Sequence, residues 1–480
     1  MQAIVSEFTK GFRFTKNNKA RGIGIECELP VVTHKGEAVG SDVIQDMFLY
    51  LERKGFVLRK DSFSGLFTVA NKINTTNLGK YNYDFDSVTT DVGYAILELV
   101  LAPQDNLYDI QTRFSELLLV LITYFDHRSC LILGYGIQPV TPPSSKLLMS
   151  RERYCFFKKF SYTNYIVSAS QGVDADLLTI TASNQCHIEI ELEDAVRATN
   201  VLNALSGLQI ALHSNSPIWN GRIDAVCKTN REIFWEQCFT DRRNQIGIPP
   251  KFKNIEAYVS YLLDFKPLLV KRAGKFLKIE NKKTFYEFLF GKTATIATNL
   301  QGNRVSIEPD ITDMQYLIPF SWFNARLVPR YGTIESRMCC QQPPKETLTS
   351  VALTLGLIEN LENSEKLMNR FSLQEWQDLR SESIKKAFCV YIDGKPIISL
   401  LRELLDIAKE GLKKRNLCEE LFLEPLYRRL ESQASPGDTG IEVFRNGGIK
   451  LFLDFYSFKK EHCIRVMKNT SISQLKDDMV

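Results

Sequence analysis

Four stretches of this chain set ionisable side chains on one face of an alternating segment. Residues 22–30 read GIGIECELP, with Ile23, Ile25, Cys27 and Leu29 on one side and Gly24, Glu26 and Glu28 on the other. Residues 94–101 carry Glu98 as the only charge in an apolar run. Residues 187–193 set His187, Glu189, Glu191 and Glu193 against Ile188, Ile190 and Leu192, and residues 333–338 bring Thr333, Glu335 and Arg337 together. Two glutamates on one strand face repel each other unless solvent or a cation compensates them. Any single row of this kind is also what the solvent face of a half-exposed antiparallel strand looks like. Glu98 fits that plainer reading least, because both of its faces are apolar. Four such rows converging on one cavity would bind a hard divalent cation, which points to Mg²⁺ or Mn²⁺ rather than zinc.

Residues 41–59 have helical spacing, opening on Ser41-Asp42 and carrying Val43, Ile44, Met47, Phe48 and Leu51. Residues 107–126 are a second amphipathic helix, and 131–136 a further strand. A third helix is expected over 194–213, stopped by Asn215-Ser216-Pro217. Beyond Gln341-Gln342-Pro343-Pro344 the pattern is helical over 345–364, 372–388 and 398–414. Residues 432–440 (SQASPGDTG) are expected to form an exposed loop, and the polar tail 467–480 to fray. Strands separated by long, variable connections predict an α+β fold on an antiparallel sheet flanked by helices, with a mainly helical C-terminal third. The division expected is a catalytic core over 1–344 and a helical region over 345–480 packed on it. There is no Walker A motif, and Gly22-x-Gly24 does not extend to G-x-G-x-x-G, so a P-loop or dinucleotide site has no support.

Sixty basic and 56 acidic residues in 480 leave a net charge of +4, which gives no electrostatic footprint for nucleic acid or an anionic membrane. The longest apolar run, 117–122, is far short of the roughly 20 residues that span a bilayer. Eleven cysteines form no C-x-x-C pair, so reduced buried thiols are expected rather than disulfides or structural zinc. The first residues, MQAIVSEFTKGFRF, lack the pattern of a signal peptide, and the expected compartment is the cytosol.

Five segments, in order, resemble the glutamate–cysteine ligase family. Gly24-Ile25-Glu26-Cys27-Glu28-Leu29 is similar to its G-x-E-x-E strand. Thr89-Thr90-Asp91, followed by Ala95-Ile96-Leu97-Glu98-Leu99, is similar to its T-T-D…L-E segment. Cys186-His187-Ile188 resembles a G-x-H strand. Asn215-Ser216-Pro217-Ile218-Trp219-Asn220-Gly221-Arg222, then Arg231, resembles N-S-P-x-W-x-G-R…R, and 326–337 (RLVPRYGTIESR) resembles R-x-x-x-x-x-G-T-x-E-x-R. Each is weak alone, and the ordered set across 20–340 is specific.

The resemblance implies a glutamine-synthetase-like sheet curved into a funnel, in which ATP phosphorylates the side-chain carboxylate of glutamate and the amine of cysteine displaces phosphate. It implies Glu26, Glu28, Glu98, His187 and Glu335 as ligands for Mg²⁺, or Mn²⁺. Arg337 is suited to steady the transferring phosphate or the glutamate carboxylate, with Arg326, Arg222 and Arg231 as further phosphate contacts or ordinary ion-pair arginines. Asp91 resembles the residue that holds the acceptor's amino group. It lies seven residues before Glu98, so a straight strand would aim the two apart, and a bend near Gly93 is expected. The partners implied are ATP and small amino-acid substrates. Alanine at Glu28 or Glu335 is expected to abolish turnover and spare the fold. The chain departs from the family at 223–228 (IDAVCK) and at Met338-Cys339-Cys340, which leaves open another amine, a peptide acceptor, or a non-catalytic nucleotide-binding relative.

Overall fold

A computed structural model describes residues 1–15, 20–81, 83–159, 164–280, 282 and 284–468. Its centre is a nine-stranded sheet built from β1 (Ile23–Thr33), β2 (Val57–Lys60), β3 (Phe67–Ile73), β4 (Phe85–Thr90), β5 (Ile96–Gln104), β6 (Cys130–Ile132), β7 (Asn184–Glu189), β8 (Ala325–Val328) and β9 (Thr333–Ser336). The order is β8-β9-β7-β1-β5-β4-β3-β2, every pair is antiparallel, and β6 pairs with the far end of β1. The α+β antiparallel expectation therefore holds.

β1 is the central strand, and its alternation decides the two sides of the sheet. Ile23, Ile25, Cys27 and Leu29 are buried with Leu97, Leu99, Leu101, Ile188 and Ile334 on the back. Helices Leu107–Asp126, Leu192–Ala204 and Thr349–Glu359 cover that back, so the C-terminal helices share one hydrophobic core with the sheet. Pro30 interrupts β1 where its partner on one side changes from β7 to β6, so its missing N–H falls in a gap in the ladder.

Several elements differ from expectation for local reasons. The helix expected over 41–59 is Ser41–Arg53, ended by Gly55 at φ +86°, after which the β-forming Val57-Leu58 starts β2. The helix expected over 194–213 starts at Leu192, with Glu191 at the cap position, and breaks at Leu205 into two helices. Residues 432–440 are not an exposed loop. Ser435 and Asp438 form a reciprocal cap with Pro436 in the first turn, and the chain is helical over Pro436–Tyr456 with a kink at Gly448, Ser435, Pro436 and Gly437 being buried. A four-stranded antiparallel sheet over Leu269–Arg272, Lys275–Ile279, Thr295–Thr298 and Arg304–Ile307 had no counterpart in the sequence reading. The helix over 107–126 is observed with those bounds. The expected fraying concerns 469–480, which lie outside the described residues; Met467 and Lys468 end a helix. No disulfide joins any of the eleven cysteines, and most are buried, but Cys389 and Cys418 are exposed, contrary to the uniform burial expected.

Candidate active site

The polar face of the sheet gathers the predicted residues by register. Glu28 of β1 lies opposite Glu98 of β5, and Glu26 opposite Gln185 of β7. His187 lies opposite Gly24 on one side and Glu335 of β9 on the other, and Glu335 lies opposite Arg326 of β8. Arg326, Glu335 and His187 therefore form one row that runs into Glu26, Glu28 and Glu98.

His187 Nε2 is 3.0 Å from Glu26 Oε1, and its Nδ1 is 3.2 Å from Thr333 Oγ1. Burial opposes the imidazolium, but Glu26 and Glu335 together raise the His187 pKa. Ligating atoms of Glu26, His187 and Glu335 all fall within 4.8 Å of one another, a spacing a single cation can bridge. Glu335 is already engaged by arginine. Arg326 donates from Nε to Oε2 at 2.7 Å and from Nη2 to Oε1 at 3.1 Å, and Arg337 Nη1 donates to Oε1 at 3.2 Å. Burial alone would raise its pKa, but the two guanidiniums outweigh it and hold Glu335 at about 2.

The other acids have fewer cations. Glu28 is 6% exposed and accepts the Ser183 N–H at 2.6 Å and the Gln185 Nε2–H at 2.8 Å. Burial pushes Glu98 well above the usual carboxylate range, and Glu26, Asp91 and Glu28 push it further. Asp91 is raised to about 7 by burial and by Glu28, against Arg151 and Arg153. Asp91 and Glu98 do face one another electrostatically, but through a full reversal rather than a bend. Asp91 N–H donates to the Ile96 carbonyl at 3.0 Å, closing a hairpin between β4 and β5. Gly93 is needed for close approach: a Cβ there would come within 1.9 Å of the Thr179 carbonyl oxygen.

Glu26, Glu98, His187 and Glu189 open into a cavity of about 270 Å³ walled by Tyr81, Tyr83 and Tyr331. Glu189 is therefore not simply solvated as its alternation suggested; it accepts the Gly22 N–H at 2.7 Å and lines this wall. On the opposite flank Arg337 packs its guanidinium 5.6 Å from the Trp235 ring centre, and burial and the nearby Arg326 lower its pKa to about 10. Arg231, buried on the helix Asn230–Cys238, pairs with Glu232 and lines a small cleft with Arg337 and Trp235. Arg222 is not drawn in with these groups. It is exposed on a separate two-strand hairpin, Ile218–Trp219 with Arg222–Ile223.

Sequence reasoning missed Gln185, Arg151, Arg153 and Tyr154. Gln185 was recoverable, since it sits two residues before His187 on the same face. Arg151 donates to Thr89 Oγ1 at 2.6 Å and Tyr154 OH reaches Asp91 Oδ1 at 3.5 Å, but both come from a short segment with no periodicity to mark it. The departure at Met338-Cys339-Cys340 lies inward: all three residues are buried in a small core with Ile210, Cys227 and Ile384, and burial raises both thiol pKa values.

The model of Glutamate-cysteine ligase family 2 matches residues 23–448. The chain belongs to this family of carboxylate–amine ligases. A chloroplastic glutamate–cysteine ligase of Medicago truncatula is 23% identical over 355 residues, covering 72% of this chain and 66% of the relative. Chloroplastic ligase A of Oryza sativa subsp. indica is 22% identical, covering 72% and 68%. The alignments thus span about two thirds of the plant proteins' length. In fold, the chain superposes on a glutamate–cysteine ligase of Francisella tularensis, solved in complex with AMP, with a TM-score of 0.54, 13% identity, and coverage of 96% of this chain and 93% of that one. The fold is glutamine-synthetase-like, and no helix among the described residues is long and apolar enough to cross a membrane.

Proposed function

We propose that this chain joins glutamate to cysteine in an ATP-dependent reaction through γ-glutamyl phosphate. The observation that carries the reading is the row Glu98–Glu28–Glu26–His187–Glu335, acids and an imidazole brought together by strand register, with Glu98, Glu26 and His187 opening into one cavity and arginines at the Glu335 end. Glu26, Glu28, Glu98, His187 and Glu335 are the residues that would hold Mg²⁺ or Mn²⁺. Their fit rests on the 4.8 Å clustering of three of them and on the uncompensated charge at Glu98. Bound there, such a cation would neutralise phosphate charge and help to orient the transferring group.

The tyrosine-walled cavity beside His187 takes the nucleotide, with Tyr81, Tyr83 and Tyr331 offering ring faces and edges to a base. Arg337 and Arg326, both at Glu335, meet the anionic oxygens of the phosphoryl group or of glutamate, with Arg231 beside them. A γ-carboxylate oxygen bonds to phosphorus as the bond to ADP breaks. The amine nitrogen then bonds to the acyl carbon as phosphate leaves, and the amine loses a proton. Asp91, raised to about 7 and ringed by Arg151, Arg153 and Tyr154, holds the amine and takes that proton near neutral pH. Arg222, exposed and apart, has no part in these steps. Cysteines unlinked by disulfides suit a reducing compartment, which we take to be the cytosol.

The test is ADP release with ATP, Mg²⁺ and glutamate, with and without cysteine and a panel of amines. Cysteine-dependent release with a γ-linked product is the expected result. Turnover with another amine keeps the chemistry and changes the acceptor, and silence across the panel overturns the reading.

A further inference from the structure

We infer that Arg380, on the helix Leu373–Lys386 of the C-terminal region, is a positioning residue for Arg231 and Arg337, an inference that rests on the ligase reading above. Arg380 is 5% exposed and occupies all three edges of its fork. It donates from Nη2 to Glu232 Oε2 at 2.9 Å, from Nε to Asn324 Oδ1 at 2.6 Å, and from Nη1 to Glu236. The other oxygen of Glu232 accepts from Arg231, and Asn324 Nδ2 donates to Glu232 Oε2 at 2.9 Å. The Asn324 backbone carbonyl accepts the Arg337 N–H at 2.9 Å. One guanidinium from the helical third thus fixes a carboxylate that orients Arg231 and an asparagine that anchors the chain at Arg337.

The approach is built to be close. A Cβ at Gly207 would come within 2.9 Å of the Arg380 backbone, so the helix Ser206–His213 presents a bare face to receive Arg380. A planar fork reaching two carboxylates and an amide oxygen has no lysine equivalent. Arg380 touches no carboxylate of the acid row; it acts through Glu232 and Asn324, and its loss should loosen the arginine flank while the tyrosine-walled cavity keeps its shape.

Arg380→Lys is compared with wild type and with Arg370→Lys, whose ion pair with Glu403 lies on the exposed surface of the same helical region. Arg380→Lys should raise KM for glutamate by about tenfold, with kcat and the affinity for Mg²⁺-ADP changed less than about twofold. Arg370→Lys should leave all three unchanged. Glu236→Gln, removing a partner that is 40% exposed, should move KM for glutamate in the same direction by about two- to threefold. It also serves as the reading if Arg380→Lys does not fold. Unchanged KM for glutamate in both variants, or nucleotide affinity lost in parallel with KM, overturns the positioning role while wild-type turnover keeps the ligase reading. Wild-type protein silent on glutamate and cysteine ends the ligase reading itself, and the positioning role with it.

Discussion

The two ends of the acid row handle buried charge in opposite ways. At the β9 end, Glu335 meets two arginines and a histidine, and its pKa falls to about 2 although the side chain is 3% exposed. At the β5 end, Glu98 lies opposite Glu28 in register with Asp91 nearby, and its pKa is pushed well above the carboxylate range by burial and by those neighbours. Same residue type, same sheet face, opposite shifts. The difference is the balance of charge: Arg326, Arg337 and His187 stand around Glu335 at one end, whereas at the other Arg151 opposes the Glu98 shift against three carboxylates, Glu26, Asp91 and Glu28. On the proposed ligase reading, the end short of positive charge is where a cation from outside has the most charge to neutralise.

The comparison is broken most directly by making the two carboxylates neutral. Glu335→Gln strands Arg326 and Arg337 in a buried site, so it should destabilise the chain by about 3 kcal/mol and abolish turnover. Glu98→Gln in metal-free protein relieves repulsion and should stabilise by about 1 kcal/mol, while also abolishing turnover. Chemical denaturation of both variants without divalent cation reads the two signs. Equal destabilisation would mean that the two ends are not electrostatically different. This revises the expectation that replacing Glu335 spares the fold: its alternating strand looked half-exposed, whereas two guanidiniums depend on it.

A second measurement sharpens the contrast. Mg²⁺ at about one hundred times its Kd should stabilise wild type by about 2.7 kcal/mol, and Glu98→Gln should lose most of that gain. If Glu335→Gln, at the other end, abolished the gain while Glu98→Gln kept it, the cation would belong to the β9 end.

How much of this could be read from sequence follows the same division. Glu26, Glu28, His187 and Glu335 sit on period-two strands, where alternation reports the face directly, and antiparallel register then brings them together. Helix 107–126 was equally legible, with its cap at Asn106 and apolar positions throughout. What stayed hidden depends on contacts distant in the chain. Arg380 meets Glu232 from 148 residues away, and nothing local marks either residue. The loop expected at 432–440 failed because Ser, Pro, Gly and Asp favour turns and also open helices, and only packing chooses between them. Asp91 was placed correctly near Glu98 for an incomplete reason, since register across a hairpin, and not a kink in one strand, joins them.

Asp91 gives the finest test of the acid end. Its pKa rises from an ordinary 3.8 to about 7, with burial the first cause and Glu28 the second. Between about pH 4 and 7 the folded chain therefore holds a proton that the unfolded chain has released, so this group's contribution to stability falls as pH rises through that window. The side chain is partly accessible, so solvent screening reduces the change to about 1–2 kcal/mol across the window. Asp91→Asn should remove that slope, leaving the variant relatively more stable than wild type at pH 8 and equal to it near pH 4. Saturating Mg²⁺ should flatten the wild-type slope as well, because a cation at Glu28 and Glu98 cancels the repulsion that holds the proton on Asp91. Urea midpoints from pH 4 to 8, with and without Mg²⁺, measure both effects. A slope untouched by Mg²⁺ would mean that burial alone raises Asp91, and the case for a cation beside Glu28 would then rest on Glu98.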